Sequence, residues 1–117
     1  MQYLDGAFAA LSDPTRRAIV AQLALGPRTV NEIADALPIS QPAVSKHLKL
    51  LEGAGLIARD RVGTTRPARL APEAFVQLDR WLERYRQLFE DRFQRLDTLL
   101  DTLQKETVDA ANPDHAD

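Results

Sequence analysis

Ser40-Gln41-Pro42-Ala43-Val44-Ser45-Lys46-His47-Leu48-Lys49-Leu50-Leu51 is the stretch whose reading decides the fold. Ser40 is a good helix N-cap, because its hydroxyl can accept a free N–H of the first turn. Pro42 falls in that first turn, where a missing N–H costs nothing. At 100° per residue Val44, Leu48 and Leu51 lie within about 60° of one another. Pro42, Ser45, Lys46 and Lys49 cluster on the opposite side. One face is made to dock on a core. The other offers two ammonium groups, a hydroxyl and small side chains that allow close approach. The helix is expected to end near Glu52, before Gly53 to Gly55.

Upstream, Tyr3, Leu4, Ala7, Phe8 and Leu11 are spaced by threes and fours, which predicts a short helix over 3–11. Asp13-Pro14 then caps and starts a second helix. Ile19, Val20 and Leu23 form its buried stripe, and Gly26-Pro27 stops it near Leu25. Thr29 and Glu32 have capping-box spacing before a brief third helix with Val30, Ile33, Ala34 and Leu37 inside. Downstream, residues 56–62 alternate partly and are rich in branched side chains, which predicts a strand. Gly63 to Arg66 form the turn, and 67–70 the return strand, with Pro67 at an edge or at the strand's start. From Pro72 to about Glu106 there is no glycine and no further proline. Leu78, Leu82, Tyr85, Phe89, Phe93, Leu96, Leu100 and Leu103 form a helical stripe, widened by Trp81, Leu88 and Leu99. A separate turn at 73–77 is allowed for. Residues 107–117 read as a polar, disordered tail. The expected order is α1 (3–11), α2 (14–25), α3 (30–37), α4 (41–52), a two-strand hairpin and α5 (72–106). This is a mainly α fold with a small β-hairpin wing, a winged helix-turn-helix in one domain over 1–106.

The charge is distributed to match. The 117-residue chain has a formal net charge of −2. Within 41–69, however, six basic residues (Lys46, Lys49, Arg59, Arg61, Arg66, Arg69) face two acidic ones (Glu52, Asp60). A basic segment inside an acidic chain is an electrostatic footprint that the whole-chain value hides. The reading helix would enter the major groove of double-stranded DNA with its N-terminal residues facing bases. Ser40 and Gln41 present free N–H groups to a phosphate. Gln41 can pair with adenine, and Ala43 or Ser45 can meet a thymine methyl or a base edge. Lys46 and Lys49 suit phosphates, with Pro42 on the same face. His47 lies at the boundary of the two faces, and two readings stand open for it: a phosphate donor, or a satisfied boundary histidine. In the wing, Arg61, Thr64, Thr65 and Arg66 are the DNA candidates, with Arg66 near the tip. Arg59 and Arg69 also belong to the hairpin.

The stripe of the last helix is wider than a small body can cover. Trp81, Tyr85, Phe89, Phe93, Leu96 and Leu100, joined by Tyr3, Leu4 and Phe8 of the first helix, are the expected homodimer interface. A two-fold axis would also set two reading helices about one DNA turn apart, for an inverted-repeat operator.

These residues resemble the ArsR/SmtB family of bacterial winged-helix repressors over about residues 3–104. Asp13-Pro14-Thr15-Arg16-Arg17 followed by Ile19 and Leu23 is similar to its second-helix signature, 40–51 to its recognition helix, and Ala54-Gly55-Leu56-Ile57 to its approach to the wing. The resemblance implies a homodimer that binds an operator and represses a nearby promoter until an inducer releases it. It would place Gln41, Ser45, Lys46 and His47 on the DNA-facing helix. Two features depart from the family. Many members sense metals through cysteines or through histidines on the last helix; here there is no cysteine, the last helix has no histidine, and His115 sits in the tail. The wing has Gly63-Thr64-Thr65-Arg66-Pro67-Ala68 where Gly-Arg and an aromatic are common. The chain looks like the cysteine-free, non-metal branch, whose inducers are often unknown.

Competing classes are a metal-responsive repressor using carboxylates and His115, and a protein-interaction module with weak DNA binding. An enzyme is not expected: two histidines, no thiol, no Ser/His/Asp grouping and no phosphate loop leave no catalytic machinery, and no cofactor or metal site is visible. No apolar run reaches the roughly 20 residues that span a bilayer, and the start lacks a signal-peptide pattern, so a cytoplasmic protein without a membrane partner is expected.

Overall fold

The structure, a computed structural model, describes residues 2–111, and side chains over 4–108. The elements are α1 (Gln2–Leu11), α2 (Pro14–Leu23), α3 (Val30–Ala36), α4 (Gln41–Gly53), β1 (Ile57–Arg59), β2 (Ala68–Leu70) and α5 (Pro72–Ala111). The order and the hairpin are as expected. Helix ends shift by one or two residues, and three differences are larger. The strands shrink to three residues each, α5 runs without a break at 73–77, and it continues through 107–111, part of the expected tail. His115 lies outside the described residues.

Each helix start is set by local chemistry. Asp13 accepts the Arg16 N–H at 2.9 Å, with Pro14 in the first turn of α2. Thr29 and Glu32 bond each other's backbone in a complete capping box. Ser40 Oγ accepts the Ala43 N–H at 3.3 Å. The end of α1 is capped from further along the chain. Arg16 Nε donates to the Ala10 carbonyl at 2.6 Å, and Arg17 Nη1 to that of Leu11 at 2.8 Å. Two cations thus satisfy orphan carbonyls at the negative end of a helix. At the end of α4, Gly55 takes φ +77°, the Gly55 N–H donates to Glu52 and the Leu56 N–H to Leu51. That Schellman turn redirects the chain into β1.

The described residues fall into two compact units, one through Asp79 and one from Arg80 onward. In the first, Ala7 and Ala10 of α1, Ile19 and Leu23 of α2, Ile33 of α3, and Val44, Leu48 and Leu51 of α4 make one core. Leu56, Ile57 and Ala68 of the hairpin and Ala74 and Leu78 of α5 complete it. The hairpin is antiparallel, with Ile57 opposite Leu70, Ala58 opposite Arg69 and Arg59 opposite Ala68. Arg28, just before α3, exchanges backbone bonds with Ala68 and lays a third backbone segment on the edge of β2. The second unit is α5 beyond Asp79. Its apolar stripe is exposed along its length, from Leu82 through Tyr85, Phe89, Phe93, Leu96 and Leu100 to Leu103.

The caps have a pH consequence. The Arg16 N–H, helped by the charges of Arg16 and His47, holds the Asp13 carboxyl below its usual 3.8. The Thr29 N–H, and then its hydroxyl, hold Glu32 below its usual 4.5. Both carboxyls bind protons less readily folded than unfolded. Their stabilisation is therefore present above the unfolded values and is lost as pH falls through the folded ones. Asp13→Ala should lower the melting temperature at pH 7, with the gap to wild type closing as the pH drops below about 4. Melting curves by circular dichroism over a pH series check this; a gap of constant size would exclude the ionised cap as its cause.

Candidate nucleic-acid interface

The two faces of α4 separate cleanly in the fold. Val44, Leu48 and Leu51 are 0% exposed, whereas Gln41, Pro42, Ser45, Lys46 and Lys49 are exposed, as is the cap Ser40. Ala43 is half-buried at the flank. Burial of three branched aliphatics locks the rotation of the helix about its axis, and that rotation presents both ammonium groups outward together. The first turn also leaves N–H groups for an anion, with one donor already taken by Ser40.

His47 is half-buried. Its Nδ1 is enclosed and has no hydrogen-bond partner among the described residues. The imidazole is near enough to Asp13 for its charge to favour the ionised carboxylate, after the Arg16 contribution. One ring nitrogen therefore faces the packed interior of the domain, without the partner that a satisfied boundary histidine would have.

The hairpin divides its four arginines. Arg59 turns inward on the hairpin, its Nε and Nη2 donating to the Arg66 carbonyl at 3.2 and 2.7 Å. Arg69 Nε pairs with Asp60 Oδ2 at 2.8 Å, both about half exposed. Arg61 and Arg66 are exposed, with Thr64 and Thr65 between them at the tip. The Thr65 hydroxyl donates to the Val62 carbonyl at 2.8 Å, and Gly63 takes φ +61° in the turn. Sequence alternation alone could not assign these roles, because a cross-strand carbonyl becomes a partner only once the register is set.

The residues expected at a two-fold interface fall into separate groups. Leu4 packs partly against the core of its own chain. Phe8 is 44% exposed on α1. Tyr3 lies outside the residues whose side chains are described. On α5 Trp81 is half-buried and stacks obliquely on Tyr85, ring centroids 4.9 Å apart at 56°. Phe89, Phe93, Leu96 and Leu100 are each about half exposed or more. Among the described residues no group of three or more His, Cys, Asp or Glu side chains comes together to hold a metal. No described helix is long and apolar enough to cross a membrane.

Residues 13–59, which include α2, α3, α4 and β1, match the pattern of the bacterial regulatory protein, arsR family. The chain is 48% identical over 81 residues to the HTH-type transcriptional regulator Rv2034 of Mycobacterium tuberculosis, covering 69% of this chain and 76% of that one. It is 48% identical over 62 residues to the HTH-type transcriptional repressor SmtB of the same species, covering 53% of this chain but only 46% of that protein. Among solved structures, it is similar to the homodimeric winged helix-turn-helix DNA-binding domain Mb0332 of Mycobacterium bovis, a possible ArsR-family regulator. That match has a TM-score of 0.61 at 28% identity and covers 73% of this chain and 79% of the other. The helix faces, the basic hairpin and these likenesses agree: the chain belongs to the arsR family of bacterial regulatory proteins, DNA-binding transcriptional regulators of winged helix-turn-helix fold and not enzymes.

Proposed function

We propose that the protein is a homodimeric repressor that binds an inverted-repeat operator in the cytoplasm. The observation that carries this reading is the exposed row of Gln41, Ser45, Lys46 and Lys49 on a helix whose other face is fully buried. Gln41, Ala43 and Ser45 face base edges in the major groove, while Ser40, Pro42, Lys46 and Lys49 lie along the phosphates. His47 borders that row, its outward edge toward the backbone. Arg61, Thr64, Thr65 and Arg66 contact flanking phosphates or the minor groove. Repression is supported by the likeness to SmtB and self-association by the homodimeric Mb0332 domain. Phe8, with Tyr3 and the outer edge of Leu4, and Trp81, Tyr85, Phe89, Phe93, Leu96 and Leu100 form the two-fold interface. An apolar stripe at helical period, exposed on a single chain, calls for a covering surface. A second copy supplies an equal one.

Enrichment of a random duplex pool on the purified protein tests the reading. The expected product is an inverted repeat with half-sites about 10 base pairs apart. By fluorescence anisotropy its affinity should fall steeply with salt, while a scrambled duplex binds at least about a thousandfold more weakly. Absence of any enriched sequence, or equal affinity for both duplexes, overturns it.

A further inference from the structure

The hairpin contains a weak point that the sequence makes unavoidable. Its pairing continues past the strands: the Asp60 N–H donates to the Pro67 carbonyl at 3.1 Å, and Val62 and Thr65 exchange bonds of 2.9 and 3.0 Å. Pro67 has no N–H, so the Asp60–Pro67 pair gives one ladder bond where a full pair gives two. Arg66 sits between these two paired positions, next to the lost bond. Its side chain is exposed near the turn. The Arg59 guanidinium reaches across to this place. Its Nε and Nη2 both donate to the Arg66 carbonyl, at 3.2 and 2.7 Å. A planar fork with two donors on one acceptor fixes direction as well as distance, which a lysine ammonium cannot reproduce. The neighbouring Arg69–Asp60 ion pair, at 2.8 Å, ties the same two strands one step away.

We propose that Arg59 is a positioning residue for DNA binding: by holding the Arg66 carbonyl it fixes the backbone from which the Arg66 guanidinium is presented to the DNA. Two of the five N–H donors of Arg59 are directed into the hairpin, and in this proposed role Arg59 has no phosphate contact of its own. This rests on the reading above that the wing touches DNA. A mobile hairpin would make Arg66 settle its conformation at the moment of binding, and that ordering weakens association.

The test is a double-mutant cycle on operator affinity with the full-length chain, using the enriched duplex. Arg66→Ala should lower affinity several-fold and reduce the slope of log affinity against log salt by about 1 per subunit. Arg59→Met, which keeps the aliphatic stem and removes the fork, should cost a few-fold in affinity in the wild-type background. In the Arg66→Ala background it should cost almost nothing. Arg59→Lys should fall between wild type and Arg59→Met. An equal cost of Arg59→Met in both backgrounds would overturn the proposal, since Arg59 would then contact DNA directly or support the fold at large. No effect of Arg59→Met beside a clear effect of Arg66→Ala overturns it while sparing the wing reading. No effect of Arg66→Ala removes the wing reading and this proposal together. Melting temperatures of all variants identify a general loss of folding, which would also count against a role confined to the wing.

Discussion

Reversal of both Lys46 and Lys49 to glutamate is expected to lower operator affinity about a thousandfold or more at about 0.1 M salt. Each subunit exposes these two ammonium groups on the same side of α4. A dimer therefore offers four. Each phosphate neutralised on duplex DNA releases close to one counterion, adding about 0.9 to the salt slope. Four lost contacts remove a slope of about 3.6, which at about 0.1 M salt is between three and four powers of ten. Repulsion by the new carboxylates acts in the same direction. Stability should hardly move, because neither side chain takes part in the core, and surface changes of this kind usually fall within about 0.5 kcal/mol. Anisotropy with the enriched duplex, together with a thermal melt, separates the two effects. A drop of less than tenfold with the fold intact would mean that α4 does not lie along the phosphates.

Leu48→Ala should be the most damaging single truncation of the reading helix. Leu48 is 0% exposed and belongs to the cluster that joins α4 to α1, α2, α3 and the hairpin. Removing a buried leucine side chain costs about 2–5 kcal/mol, the upper part of that range where the surroundings cannot collapse into the gap. Here they are held by caps, a Schellman turn and strand pairing. In a body of this size each kcal/mol shifts the melting temperature by about 4–8 °C. The expected fall is therefore roughly 8–40 °C, a large share of a stability that for small domains is about 5–15 kcal/mol. Leu50→Ala is the control on the same helix: Leu50 is 51% exposed, and its loss should cost about 1 kcal/mol or less. Equal effects of the two truncations would show that the burial of α4 is not what seats it.

Much of this architecture was legible in short stretches of chain. The three N-caps at Asp13, Thr29 and Ser40 are local hydrogen bonds, so residue type and spacing suffice to find them. The orientation of α4 follows from three aliphatic positions on one side of a 3.6-residue period. The continuous strands are shorter than the reading because Pro67 has no N–H and interrupts the ladder, although single bonds carry the pairing on to Val62 and Thr65. The end of α5 was read too short because polar residues at 107–111 carry no apolar period, yet the helix propagates through them once it is formed.

Periodicity, capping chemistry and charge placement in the chain therefore establish the element order, the inward face of each helix and the cationic face of α4. These depend on residues within a turn or two of each other. Three matters needed the folded arrangement. Arg16 and Arg17 close the end of α1, although nothing in Asp13-Pro14-Thr15-Arg16-Arg17 says which carbonyls they meet. His47 has one nitrogen enclosed, and its ring acts on the carboxyl of Asp13, 34 positions away in the sequence. Of four hairpin arginines, Arg59 and Arg69 bond within the wing and Arg61 and Arg66 face outward. For the bonded arginines the reason is the same: a long charged side chain takes whichever acceptor lies within its reach once the packing of apolar faces has fixed the backbone, and that packing also encloses His47 Nδ1 without giving it a partner among the described residues.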